Sequence, residues 1–276
     1  MSLDKLFPPF DPGHSDDEER QPRRIPFRRI VPNLITILAI CAGMTGVRLA
    51  FEGRFELAVL MLLGAAFLDG IDGRVARMLK GQSRFGAEMD SLADIVNFGL
   101  APGLLLYAFV LKEAGAFGWT AALLYTTGCA LRLARFNTML DDPNRPKWHS
   151  AFFVGVPAPA GAALALLPMY VSFIGVNVNL PQVTAGVTAI YLVFVGLLMA
   201  SRIPTWSGKG AGIRVPRSYA IPITMLLVLY VAMLVSFFWE TLTLTTIAYY
   251  VSIPFSWRQF SKRSAREERQ FGPPAG

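Results

Sequence analysis

Eight stretches of this chain are too long and too evenly apolar to be one face of a soluble fold. They lie near residues 31–50, 55–79, 87–111, 117–139, 154–175, 181–201, 218–238 and 240–257. "VLMLLGAAFL", "AALLYTTGCALRLA", "VTAIYLVFVGLLMA" and "ITMLLVLYVAMLVSFFW" lack the polar stripe a surface helix needs. Each belongs to a segment close to the ~20 residues that cross a bilayer core. A 53% hydrophobic content agrees, being high for a soluble domain. The expected fold is all-α, a polytopic membrane helical bundle.

The formal charge of +7 invites a nucleic-acid reading, but its distribution does not support one. With the N-terminus inside, all of the 26 Lys and Arg except Arg48, Arg54 and Lys112 fall on inner segments. That is the positive-inside bias of membrane proteins, and its natural partner is anionic membrane lipid. Both termini are expected in the cytoplasm. Compact outer loops suit a bacterial inner membrane. Polar residues gather in inner loops 74–85, 136–153 and 202–217, at one side of the membrane, whereas a pore carries them along several helices and at both ends. Cys41 and Cys129 stand alone in apolar runs as packing residues, and His14 and His149 have no metal-ligand spacing.

Residues 1–29 are rich in proline and charge, bury nothing, and read as a disordered or interfacial cytoplasmic tail. They hold no apolar signal-peptide core. "PFRRIVPN" suits a lipid surface. Residues 258–276 read as a basic cytoplasmic tail, and residues 202–257 as an inner loop followed by two extra transmembrane helices.

Four aspartates interrupt the apolar pattern. At about 100° per residue, Asp69, Asp72, Gly73 and Ala76 share one helical face. Gly86, Asp90 and Asp94, spaced by four, share a face of the next helix. The short connection from Met78 to Phe85 predicts antiparallel neighbours, with two carboxylate pairs across one seam. Four unpaired charges there are too costly to desolvate. Three remedies exist: protonation, salt bridges to Arg74, Arg77 and Arg84, or two divalent cations. Carboxylate-only sites select hard cations such as Mg²⁺ or Mn²⁺. Two such ions about 4 Å apart can drive displacement at phosphorus. Gly73, Ala76 and Gly86 leave room for a phosphate ester.

"DGIDGRVARMLKGQSRFGAEMDSLAD" resembles the CDP-alcohol phosphotransferase signature, D-x2-D-G-x2-A-R-x8-G-x3-D-x3-D, at every specified position. The resemblance implies a homodimer with a six-helix catalytic core, over residues 30–201 here. It implies transfer of a substituted phosphate from a CDP-linked donor to an alcohol, with release of CMP. By position, Asp69, Asp72, Asp90 and Asp94 would hold two divalent cations, and Asp94 would also be the general base. Gly73, Arg77 and Ser83 would touch the donor, with space supplied by Ala76 and Gly86. "PNLIT" resembles the family's entry to its first helix, bringing Asn33 and Thr36 to the donor.

The acceptor is read from the rest of the chain. Members using glycerol phosphate or inositol phosphate commonly carry lysine after the last aspartate, where this chain has Ile95. "DIVNFGLAP", "RLARFN", "GVPAPA" and "SRIPTWSGK" resemble the membrane-integral phosphatidylserine synthase subgroup. That implies CDP-diacylglycerol and L-serine as substrates. Arg132 and Arg135, on one helical face, suit the serine carboxylate. Asn97 and Asn137 suit its ammonium or hydroxyl. Glycerol phosphate, inositol phosphate or choline as acceptor, and a divalent-cation transporter, are the competing readings.

Overall fold

A computed structural model of the chain describes residues 27–79, 83–140, 152–176, 180–206 and 219–271. It is helical almost throughout, in eight successive rods. The first two are α1 (Phe27–Phe51) and α2 (Phe55–Met78). The third is composite, with α3 (Arg84–Asp94), one π-helical segment (Ile95–Leu100) and α4 (Ala101–Phe109) end to end. A 3₁₀ turn (Leu111–Ala114) leads into α5 (Gly115–Leu140). The fifth rod is broken into α6 (Ala158–Ala165) and α7 (Leu167–Phe173), and α8 spans Pro181–Ala200. The last two rods are α9 (Ala220–Ser236) and α10 (Phe238–Phe271). The all-α expectation holds, with one small addition. Strands β1 (Phe152–Val154) and β2 (Pro204–Trp206) pair antiparallel, Phe153 opposite Thr205. They lie in the "GVPAPA" and "SRIPTWSGK" neighbourhoods and clip two inner loops together.

The rods meet around a core of Phe98, Leu105, Tyr125, Tyr170, Leu192 and Met199, all buried. α5 and α8 approach at backbone distance. A Cβ on Gly128 would lie 2.5 Å from the Gly196 carbonyl oxygen, so no side chain fits at that crossing. The outside is apolar in the opposite sense from a soluble protein. Leu34, Phe67, Val187, Leu197 and most of α9 are exposed hydrophobics, a surface only hydrocarbon can cover. Ile30–Phe51, Arg84–Phe109 and Pro181–Ala200 are each long and apolar enough to cross a bilayer by themselves. The protein is an integral membrane protein.

Several local expectations need correction. α10 does not stop near residue 257. The sequence becomes polar there, but Arg, Gln, Lys, Ala and Glu are good helix formers, and the helix runs on to Phe271. Pro157 and Pro159 stand at the start of the fifth rod. They open α6, where a missing N–H is harmless. The break falls at Leu166, before Leu167 and Pro168 open α7. "PNLIT" lies in the opening turns of α1, with Pro32 already inside the helix. Of the tail expected at residues 1–29, residues 27–29 open α1 and the rest, like most of the 136–153 and 202–217 loops, lies outside the described residues.

The third rod deserves a physical account because it begins at the acidic site. Pro102 has no N–H to give to the carbonyls behind it. The ladder widens to a π turn, and α5 supplies substitute donors. The Tyr125 hydroxyl donates to the Phe98 carbonyl oxygen at 2.7 Å. Thr126 Oγ1 also comes within 3.3 Å of the Gly99 carbonyl oxygen, although its nearer acceptor is the Ala122 carbonyl of its own helix at 3.0 Å. Inserted residues of this kind change which side chains face inward; here Asn97, Phe98 and Gly99 are all buried.

Candidate active site

α2 brings Asp69 and Asp72 one turn apart, and α3 brings Asp90. Carboxylate oxygens from these three lie within 4.8 Å of one another. Asp72 is 3% exposed, and its Oδ2 accepts a hydrogen bond from Thr36 Oγ1 on α1 at 2.6 Å. Asp69 Oδ1 is buried and has no hydrogen-bond partner. Asp94 ends α3 outside this trio. It interacts electrostatically with Asp90, Arg132 and Asp72.

Salt bridging is not how the charge is met. Among the described residues no ion pair joins these aspartates to Arg74, Arg77 or Arg84. Three hard oxygen donors converging with one buried oxygen left unbonded fit a divalent cation. The acidic cluster is compatible with the divalent-metal dependence general in the family named below.

Carboxylates of α2 and α3 meet as the sequence predicts, though the two helices touch each other only lightly. α2 packs chiefly on α1, and α3 also leans on α1 more than on α2. The aspartates face each other across a cleft with α1 as its third wall. Small residues explain the gap, since Gly73, Ala76, Gly86 and Ala87 cannot fill it. The resulting cavity measures about 430 Å³, within the usual size of small-ligand sites (about 300–1,000 Å³). Its lining includes all seven residues expected at the donor: Asn33, Thr36, Gly73, Ala76, Arg77, Ser83 and Gly86. Asp72 and Asp90 reach it from the acidic side, while Pro32 and Ala87 complete it. Those last two had no sequence signal beyond adjacency.

Local chemistry prepares the cavity for an anion. Ser83 caps α3, its Oγ accepting from the Gly86 N–H at 3.0 Å. The positive end of the α3 dipole therefore opens on the cavity. A Cβ on Gly86 would lie 3.0 Å from Asn33 Oδ1 and 3.1 Å from Ser83 Oγ, which keeps this wall thin. The Arg77 guanidinium stands over Gly73, 3.6 Å from where a Cβ there would be.

The four residues expected at serine divide into two pairs. Asn97 is fully buried in the π turn, with neither amide atom hydrogen-bonded. It abuts Gly43 of α1, where any Cβ would strike its Oδ1. Arg132 is 7% exposed, coupled to Asp94, with its guanidinium 5.3 Å from the Phe136 ring centroid. Arg135 and Asn137 are engaged elsewhere. Arg135 Nη1 donates to the carbonyls of Ala200 (2.7 Å) and Ser201 (3.1 Å), holding the end of α8. Asn137 Nδ2 donates to Ser91 Oγ at 3.0 Å, tying α5 to α3.

The sequence profile of the CDP-alcohol phosphatidyltransferase family matches residues 29–197. The chain belongs to this family. A second profile, CDP-alcohol phosphatidyltransferase 2, matches residues 218–254, across α9 and much of α10. Within the family, a CDP-diacylglycerol–serine O-phosphatidyltransferase of Mycobacterium leprae is 41% identical over 240 residues, 85% of this chain and 76% of that protein. One of the same name from Helicobacter pylori J99 is 36% identical over 63% of this chain and 70% of its own length. The Bacillus subtilis protein of that name is 36% identical over 50% of this chain and 74% of its own.

Proposed function

We propose that this CDP-alcohol phosphatidyltransferase moves the phosphatidyl group of CDP-diacylglycerol onto the hydroxyl of L-serine, giving phosphatidylserine and CMP. The observation that carries the reading is the carboxylate trio, two of whose members, Asp72 and Asp90, line a cavity shared with the motif residues of α1, α2 and α3. The choice of serine rests on the names of the relatives and on buried Arg132 beside Asp94.

Asp69, Asp72 and Asp90, with Asp94 at their edge, would hold two divalent cations, Mg²⁺ or Mn²⁺. Such ions neutralise pyrophosphate and leaving-group charge. The rest of the work belongs to the chain. Arg77 and the capped N-terminus of α3 hold phosphate oxygens of the donor. Asn33 and Thr36 bound the same cavity from α1, and Thr36 also fixes the Asp72 carboxylate. Arg132 takes the serine carboxylate, and Asn97 offers an unspent amide to the ammonium or hydroxyl. Asp94 takes the hydroxyl proton as the serine oxygen attacks the phosphorus bearing diacylglycerol. The bond from that phosphorus to the CMP oxygen breaks, and CMP leaves.

The catalytic core is residues 30–201, with α9 and α10 added to it. Both termini lie on the cytoplasmic side of a bacterial inner membrane, a reading supported by the basic residues gathered on inner segments, with the donor arriving from the surrounding lipid and the protein working as a homodimer.

Purified protein should release CMP from CDP-diacylglycerol when serine is supplied, and mass spectrometry should find phosphatidylserine. CMP release with glycerol phosphate, inositol phosphate or choline instead would overturn the acceptor. Manganese flux into liposomes without CMP release would overturn the enzyme reading.

A further inference from the structure

Gly43 is buried in the interior of α1. Glycine is a poor choice inside a helix, where alanine serves better. Close approach of a neighbouring helix is the ordinary reason for one. Gly46, on the same helix, has that reason, since a Cβ there would lie 2.9 Å from the Ala58 carbonyl oxygen of α2. Gly43 does not. The nearest α2 atom to a Cβ at position 43 is the Ala65 Cβ at 3.9 Å, an ordinary contact. The meeting of α1 and α2 therefore has room for alanine here. What forbids it is one side chain from the π turn. The added Cβ would strike Asn97 Oδ1 and come within 3.2 Å of Asn97 Cγ.

The same contact orients the amide. Asn97 Oδ1 and Cγ are the atoms closest to Gly43, nearer than the Ala65 methyl, and Nδ2 is not among them. The carbonyl end of Asn97 points at α1, and the NH₂ end points away. The reverse placement is disfavoured, because a glycine Cα–H is a weak donor that a carbonyl oxygen accepts and an amide N–H cannot. Asn97 is 0% exposed, and neither Oδ1 nor Nδ2 has a hydrogen-bond partner. An N–H held in the interior with nothing to donate to costs stability, so a partner arriving with substrate is a reason to keep one. Asn97 follows Asp94 by three residues in one continuous rod, less than a turn from the proposed base. A donor at that point suits an oxygen and not an ammonium.

We propose that Gly43 is a positioning residue: its missing side chain seats the Asn97 carbonyl against α1, which leaves Nδ2 to donate to an oxygen of the acceptor. This rests on the serine reading above and narrows it, since the amide then serves an oxygen of serine and not its ammonium. It also gives α1, a wall of the donor cavity, a part in holding the acceptor.

The test uses the full-length protein in lipid vesicles, assayed for CMP release with CDP-diacylglycerol, Mn²⁺ and varied serine. Gly43→Ala should lower kcat/KM for serine about tenfold and change the KM for CDP-diacylglycerol less than about twofold. Its thermal midpoint should fall, because methyl and amide collide. Wild-type kinetics, or an equal loss on both substrates, would overturn the assignment. A second measurement adds Gly43→Ala to Asn97→Ala, where the methyl enters vacated space. The added change should cost less than about twofold in kcat/KM for serine and should not lower the midpoint further. Effects that multiply in full count against the proposal. Asn97→Asp keeps the side-chain oxygen and removes the NH₂, so kcat/KM for serine should again fall about tenfold. A wild-type value there would mean that the amide receives the ammonium and that the orientation is wrong. A wild-type protein that releases no CMP with serine defeats the functional reading itself. An active wild type matched by its Gly43→Ala variant defeats only the present proposal.

Discussion

At the scale of single residues, the site is a set of unspent polar atoms held by spent ones. Asp72 is fixed by Thr36, and Ser83 by the Gly86 amide, while Asp69 Oδ1 and the Asn97 amide have no hydrogen-bond partner. Removing the proposed base should leave donor binding intact and strip the proton transfer. Asp94→Asn is expected to slow CMP release by roughly 100- to 10,000-fold, while CDP-diacylglycerol still protects the variant thermally. Near-normal turnover would mean that another group takes the proton. A finer probe is Gly86→Ala. Its methyl crowds Asn33 Oδ1 and Ser83 Oγ, so the KM for the donor should rise while that for serine stays put. The two arginines should separate as well. Arg132→Ala should raise the serine KM, whereas Arg135→Ala should chiefly lower the thermal midpoint, because Arg135 holds the end of α8.

At the scale of elements, the π turn is the joint on which the site depends. It follows Asp94 directly, turns Asn97 inward, and exists because Pro102 cannot donate. Tyr125 repairs the deficit at Phe98. Tyr125→Phe would leave that carbonyl unbonded in the protein interior, at a cost of about 1–3 kcal/mol. The thermal midpoint should drop, and turnover with it if the turn shifts Asp94. A midpoint equal to wild type would show that the carbonyl finds another donor. The helices themselves were legible in the sequence, because ~20-residue apolar runs have few alternatives in a bilayer. The π turn was not, since periodicity cannot reveal an extra residue inserted in a continuous rod. The β1–β2 clip was also hidden. Three-residue strands carry no pattern, and their partners are 50 residues apart.

At the scale of the whole molecule, an acidic cluster inside an apolar bundle stays folded only if its charge is met. Ion pairs do not meet it among the described residues, so chelation should matter. EDTA is expected to abolish CMP release, and Mg²⁺ or Mn²⁺ to restore it. Asp69→Asn should raise the ion concentration required, since it removes one of three converging carboxylates. Activity indifferent to EDTA would rule the cations out. The sequence alone determined the class of fold, the positions of the rods, and which carboxylates and small residues share a face, because all of these follow from hydropathy and helical period. It also led to the seven cavity residues, five through one densely spaced motif and Asn33 and Thr36 through "PNLIT". What it did not decide was which helices touch. Helical spacing says where a side chain points around its own axis, not what stands opposite. Only tertiary packing made α1 the third wall of the acidic cleft and engaged Arg135 and Asn137 in holding helices together.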